Sequence, residues 1–161
     1  FAPLYRKGIS KEKNNVKLDV AVNNSIRLIK AKKEARDVEI QYCGYPQYDI
    51  AMHSGELQTV FLNLLDNSCY WLSKVNGLKK INITATAVKG KIRINVSDTG
   101  PGINPEDGEK IFLPGNTSKL HGIGMGLVIV TELLNNHECS IETVIPGDVG
   151  GATFIFDLPL V

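Results

Sequence analysis

Cysteine is scarce and poorly placed for pairing. Cys43, Cys69 and Cys139 are an odd number, far apart, with no CxxC spacing and no metal-ligand pattern. Neither a disulfide framework nor a zinc site is supported, and a reducing compartment is expected. Charge of one sign is lacking too: Lys+Arg 18 against Asp+Glu 17 leaves a formal net charge of +1. That is too little to hold a nucleic-acid backbone or an anionic membrane surface, so any bound polyanion must be small and locally held. No run approaches the roughly 20 apolar residues of a membrane span, and no basic-then-apolar segment opens the chain. The expected location is cytoplasmic, for a parent chain either soluble or membrane-anchored. The chain begins with Phe1 rather than Met, which sets the expectation of a piece cut from a longer protein.

What is present suits one folded domain. A chain of 161 residues, 43% hydrophobic and 22% charged, excludes disorder and leaves no room for a second complete domain. Residues 1–18 show no sustained period and read as a linker or the tail of an upstream dimerisation region, with the domain over 19–161. Asp19 is placed to cap a helix over 19–35, with Val22, Ile26, Leu28 and Ile29 as its apolar stripe and Lys30, Lys32 and Lys33 as a solvated end. A strand over 38–42 and a turn over 44–46 precede the longest helix, 54–75, which Ser54 is expected to cap. Leu57, Val60, Phe61, Leu64, Leu65, Ser68, Trp71 and Leu72 form its core stripe. Period-two alternation then predicts a hairpin: Ile81, Ile83, Ala85 and Ala87, a turn at Lys89-Gly90, then Ile92, Ile94 and Val96. A glycine-rich irregular stretch over 99–124, a helix over 125–135 and strands over 140–144 and 152–158 complete the chain. Helices before and after a hairpin sheet predict an α+β fold with helices on one sheet face.

Three groups carry chemistry. Asn63 and Asn67 lie one turn apart on a flank of the long helix. They are either water-facing or loop-capping amides, or oxygen ligands for a hard cation. Asp98 continues the parity of Ile92, Ile94 and Val96, so its carboxylate points to the buried face, whereas Lys91, Arg93, Asn95 and Ser97 point the other way. Its donor is either the backbone of the turn Thr99-Gly100-Pro101-Gly102 or the exocyclic amine of a ligand. Gly122, Gly124 and Gly126 lead straight into a helix, gathering free N–H groups and the positive end of a helix dipole. Their spacing fits neither the P-loop nor the Rossmann fingerprint.

In order, NLLDN on a helix, DTGPGI after a strand, IFLPGNTSK and GIGMGL resemble the four motifs of the ATP-binding domain shared by sensor histidine kinases, gyrase, MutL and the large ATP-dependent heat-shock chaperones. The resemblance spans roughly 18–161, and the closing GATFIFDLPL is similar to a histidine-kinase ending. It implies the Bergerat fold: a two-layer α/β sandwich in which a mixed, mostly antiparallel sheet is covered on one face by three helices. It implies ATP and Mg²⁺ as ligands, with Asn67 on the metal, Asn63 lining the same pocket, Asp98 accepting from the adenine amine, and Gly100 and Gly102 shaping the base pocket. Residues 104–121 would be a mobile lid anchored by Phe112, with Lys119 reaching the terminal phosphate, while Gly122, Gly124 and Gly126 hold phosphate oxygens by backbone N–H. Asn63 stands where gyrase-like and MutL-like hydrolases carry a glutamate, which favours transfer over hydrolysis. Tyr70, Ser68 and Ala152 depart from the family's usual lysine, alanine and threonine, and Thr153 has the wrong parity to replace the last.

The function so implied is transfer of the terminal phosphoryl group to a histidine on a separate dimerisation domain, with a response regulator downstream and no nucleic-acid partner. His53, His121 and His137 are none of them on a dimeric helical hairpin and are expected to be surface or structural residues, despite the acceptor-like His137-Glu138 pair. An ATP-gated interaction module or ATPase of the same superfamily, and a related serine kinase of the anti-sigma type, are the alternatives. The isolated piece is expected to turn over ATP very slowly.

Overall fold

A computed structural model describes residues 15–44, 47–115 and 126–161. The alternating segments form β4 (Lys80–Val88) and β5 (Lys91–Asp98). Lys89 at φ 50° and Gly90 at φ 79° supply the two positive-φ positions that a tight hairpin between right-twisted strands requires. β5 pairs antiparallel with β7 (Thr153–Pro159), which pairs antiparallel with β6 (Ile141–Thr143). At the other edge β2 (Glu39–Cys43) runs parallel to β4, giving the order β2-β4-β5-β7-β6. A parallel pair needs a long crossover, and α2 (Ser54–Leu72) lies within it. α1 (Leu18–Lys30) and α3 (Gly126–Asn135) pack on either side of α2.

One apolar layer joins helices and sheet. Leu57, Val60, Phe61, Leu64, Leu65 and Leu72 of α2 meet a core that includes Ile81, Ile83, Ile92, Ile94, Val96, Phe154, Phe156 and Leu158, all buried. The Phe61 and Phe156 rings meet at 6.0 Å between centroids and 56° between planes. Each such side chain contributes about 1.5 to 3 kcal/mol by burial. The opposite sheet face is polar, with Arg93 bonded to its cross-strand partner Asp157 at 3.0 and 3.3 Å. The α+β sandwich with a mixed, mostly antiparallel sheet under three helices is therefore observed.

Several local expectations are corrected. α1 begins at Leu18 with Lys17 in the cap position, so Asp19 lies in the first turn, where its carboxylate accepts from the Tyr42 hydroxyl. It ends at Lys30, and a separate 3₁₀ turn occupies Lys33–Ala35. Lys30 is not a solvated end: its ammonium donates to the carbonyls of Ala35 and Val38, while Lys32 pairs with Asp66 of α2. Val16–Lys17 (β1), inside the stretch expected as a linker, pairs antiparallel with Asp49–Ile50 (β3). α2 is capped by His53 rather than Ser54 and stops at Leu72, and Trp71 is only half-buried.

Candidate functional site

β5 ends by placing Asp98 on the core face at 2% exposure. Its Oδ1 accepts from the backbone N–H of Gly100 at 2.9 Å and of Ala152 at 3.1 Å. The Asp98 N–H in turn donates to the Ala152 carbonyl at 2.9 Å. Both backbone bonds fall on Oδ1, and no backbone amide of the described residues donates to Oδ2. Burial pushes the carboxyl above the usual carboxylate range, opposed by the amides of Gly100 and Ala152 and by the nearby Ser68 hydroxyl. Of the two donors the sequence left open for Asp98, the turn backbone is the one observed, joined by the Ala152 amide.

The glycines around it are dictated by the carboxylate. A Cβ on Gly100 would stand 2.9 Å from Asp98 Oδ1. On Gly151 it would stand 2.6 Å from both Oδ1 and the Gly100 nitrogen, and closer still to the Asp98 carbonyl oxygen. Gly102 is required instead by its φ of +81°. Sequence reasoning missed Gly151; the Gly150-Gly151 pair opening a strand was the available signal for a close backbone approach.

On α2, Asn63 is 3% exposed and its Nδ2 donates to the Thr59 carbonyl at 2.8 Å. A carbonyl only accepts, so the amide oxygen is the end that faces α3: a Cβ on Gly126 would lie 3.3 Å from Asn63 Oδ1. The N-terminus of α3 is thereby seated against Asn63. Asn67, one turn on, is half-buried, and its amide takes no hydrogen bond among the described residues. Asp66, between them in the motif, is engaged by Lys32. Tyr70 meets Trp71 edge-on at 5.1 Å, with the Lys74 ammonium 5.0 Å from the Tyr70 ring centroid.

The described part of the expected lid carries two one-turn 3₁₀ segments, Pro105–Asp107 and Lys110–Phe112. Phe112 packs edge-on against Phe154 at 6.2 Å between ring centroids. Lys119, Gly122 and Gly124, with His121, lie outside the described residues. His53 caps α2, its Nδ1 accepting from the Gly55 N–H at 3.1 Å, and His137 meets the buried Glu56 carboxylate at 3.0 Å. Both are structural contacts at the start of α2. The structure thus sets Gly126 against Asn63 at the start of α3 and Gly100 against Asp98 at the end of β5, with Gly102 beside Gly151.

The family model for histidine kinase-, DNA gyrase B- and HSP90-like ATPases matches residues 52–161. The chain belongs to that family. Among curated relatives, sensor histidine kinase ZraS of Escherichia coli K12 is 28% identical over 146 residues, covering 90% of this chain and 30% of ZraS. The chain therefore spans less than a third of that relative's length. Among solved structures, the mycobacterial sensor histidine kinase MprB superposes with a TM-score of 0.79 at 21% identity, covering 91% of this chain and 96% of that one. Full-length ShkA in complex with AMPPNP superposes with a TM-score of 0.75 at 24% identity, covering 93% of this chain and 32% of ShkA. This histidine kinase-type ATPase domain has the sheet and three helices of those proteins. Within it no described helix is long and apolar enough to cross a membrane.

Proposed function

We propose that this chain is the catalytic domain of a sensor histidine kinase, which binds Mg-ATP and passes its terminal phosphoryl group to a histidine on a separate dimerisation domain, for relay to a response regulator. The observation that carries the reading is Asp98 Oδ2, an acceptor on a carboxylate whose other oxygen is pinned by two backbone amides. An ionised carboxylate takes an N–H and rejects a carbonyl, so this position suits the amine of adenine and opposes the O6 of guanine. Gly100 and Gly102 keep the backbone beside it open to a flat base.

The residues present also fit a magnesium ion. Mg²⁺ keeps several waters and is usually held by one or two protein oxygens together with substrate phosphates. The Asn67 amide, half-buried with no protein partner among the described residues, supplies one such oxygen. When bound, the ion neutralises phosphate charge. Asn63 and Gly126 line the phosphate side, where the N–H groups at the start of α3 suit anionic oxygens. Lys119 at the terminal phosphate, and Gly122 and Gly124 on phosphate oxygens, rest on the motif resemblance. Catalysis is then positioning and charge stabilisation more than covalent chemistry.

Two measurements test the reading. With ATP labelled on its terminal phosphate and a supplied histidine-bearing dimerisation domain, label is expected on that domain, stable to alkali and lost in acid. Label stable to acid and lost in alkali indicates a serine kinase instead, and no label at all favours an ATP-gated module. The chain alone is expected to hydrolyse ATP far more slowly than the typical enzyme median of about 10 per second, because the Asn63 amide cannot act as a general base. Steady turnover near that median in a phosphate-release assay sinks the assignment in favour of a gyrase-like or MutL-like ATPase.

A further inference from the structure

We propose that Thr153 is a positioning residue for base recognition, holding the Asp98 carboxylate in place from the opposite face of the sheet by tying down the loop over 147–151. The inference rests on the adenine reading of Asp98 and assigns the support behind it.

Ser97 and Thr153 are partners across β5 and β7 on the face away from the helices, yet they are only 3% and 0% exposed. Gly147 and Asp148 lie across Thr153. The Asp148 N–H donates to the Thr153 hydroxyl at 2.9 Å, and a Cβ on Gly147 would stand 3.1 Å from the same oxygen. Ser97 donates to Asn95 Oδ1 at 2.7 Å, and Asn95 Nδ2 donates to Asp148 Oδ2 at 2.9 Å. Since the single Ser97 proton goes to Asn95, the 3.0 Å bond between the two hydroxyls takes its proton from Thr153. Four hydrogen bonds thus run head to tail from the Asp148 amide through Thr153, Ser97 and Asn95 back to the Asp148 carboxylate. In such a closed ring each bond polarises the next, and removal of one member leaves its neighbours unpaired.

The ring lies directly behind the base site. Ser97 precedes Asp98, and Thr153 follows Ala152, whose N–H holds Asp98 Oδ1. The loop that the ring anchors is itself folded tight: the Gly150 N–H donates to the Gly147 carbonyl at 3.3 Å, and a Cβ on Gly147 would overlap the Gly151 carbonyl. Gly151 in turn stands against Asp98 and the Gly100 nitrogen. An unbroken run of contacts therefore joins the Thr153 hydroxyl, Gly147, Gly151 and Asp98. Asp148 is exposed, so without the Thr153 hydroxyl its N–H turns toward water rather than stay unpaired, and Gly147 moves with it. The wall formed by Gly151 then slackens and the Ala152 bond lengthens. The carboxylate becomes free to turn about its Cβ–Cγ bond, and Oδ2 no longer meets the amine in one place. Thr153→Val keeps the β-branched shape that suits the strand and removes the hydroxyl.

The test combines calorimetric affinities for ATP and for purine riboside triphosphate, which lacks the amine, with exchange of the Ala152 amide measured by NMR in the empty protein. The ratio of the two affinities isolates what Asp98 contributes. Thr153→Val is expected to lower the preference for ATP by about three- to tenfold, the range of one neutral hydrogen bond, with the affinity for purine riboside triphosphate unchanged. Its Ala152 amide should exchange about fivefold faster or more. Thr153→Ser restores the hydroxyl and should return both readings to the wild-type values. Asp148→Ala is an exposed change that the fold tolerates; it should move both readings in the same direction as Thr153→Val, and it carries the test where that variant does not fold. The proposal is overturned by a Thr153→Val protein that keeps the wild-type preference or loses affinity for both nucleotides alike, by failure of Thr153→Ser to restore, or by an Asp148→Ala protein unchanged in both readings. If the wild type itself binds the two nucleotides alike, the adenine reading of Asp98 falls, and the Ala152 amide then decides by itself whether the ring holds the carboxylate.

Discussion

Asp98→Asn is expected to weaken ATP binding by tenfold or more and to erase discrimination against GTP. The reason lies in which oxygen is held. The N–H groups of Gly100 and Ala152 both donate to Oδ1, so an asparagine must keep its carbonyl oxygen there and present its NH₂ where Oδ2 stood. A donor then faces the amine of adenine, while the O6 of guanine finds a partner. Loss of a hydrogen bond to a charged group costs about 1.5 to 3 kcal/mol, which is roughly ten- to 150-fold in affinity. Protonation does to the wild type what the substitution does permanently, because a protonated Oδ2 is a donor.

Burial raises the carboxyl from its ordinary value of 3.8. Between that value and the raised one, the folded protein holds a proton that the unfolded chain has released. Stability of the empty protein from this group is therefore full below 3.8 and is lost as pH rises through the raised value. ATP affinity runs the opposite way, falling as pH is lowered through the raised value. Calorimetric affinities for ATP and GTP and thermal melts across acidic pH, for wild type and variant, should show both trends in the wild type and neither in Asp98→Asn. Affinities for ATP within twofold of each other at neutral pH would count against the role given to Asp98.

The legible part of this site was the part written in local period. Strand alternation alone put Asp98 on the buried face, because Ile92, Ile94 and Val96 leave a carboxylate two residues later no other side. Helical spacing likewise placed Asn63 and Asn67 together on α2. What could not be read were features closed by contacts distant in sequence. The bond from Ala152 to Asp98 joins residues 54 apart, and no local pattern announces it. The same holds for the start of α2: Ser54 is the better cap by residue type, yet His53 takes the position because Glu56 returns a bond to its backbone and His137, on the far side of α3, braces that carboxylate. Trp71 fits the core stripe by angle but falls near the end of α2, where the edge-on Tyr70 ring and the Gly100 turn leave it half-buried. Ser68 was visible as a departure from the family pattern. Its place beside the Asp98 carboxylate became visible only in three dimensions.

Gly151→Ala should be strongly damaging, and its neighbour supplies the control. A Cβ at 151 lies 2.6 Å from Asp98 Oδ1 and from the Gly100 nitrogen, and overlaps the Asp98 carbonyl oxygen. Two of these three atoms are backbone, and the third is pinned by two amides, so none can swing away as a flexible side chain would. Relief requires parting the end of β5 from the approach to β7, which breaks the bond from the Asp98 N–H to the Ala152 carbonyl and the bond from the Ala152 N–H to the carboxylate. Overpacking of about 1 to 3 kcal/mol is then added to lost hydrogen bonds of about 1 kcal/mol or more each, for a total of about 3 kcal/mol or more. For a domain of this size that is a fall in Tm of roughly 10 °C. Gly150→Ala meets nothing within 4 Å and suffers only from its φ of +91°, a conformational cost of about 1 to 2 kcal/mol. Because only the first substitution displaces Asp98, the two should separate in binding more than in stability. At a temperature where both variants remain folded, Gly150→Ala should bind ATP nearly as the wild type does, and Gly151→Ala should bind it at least tenfold more weakly. Melting and titration of the pair decide the matter: a Gly151→Ala protein that melts and binds ATP like the wild type would mean that the carboxylate is not held as described.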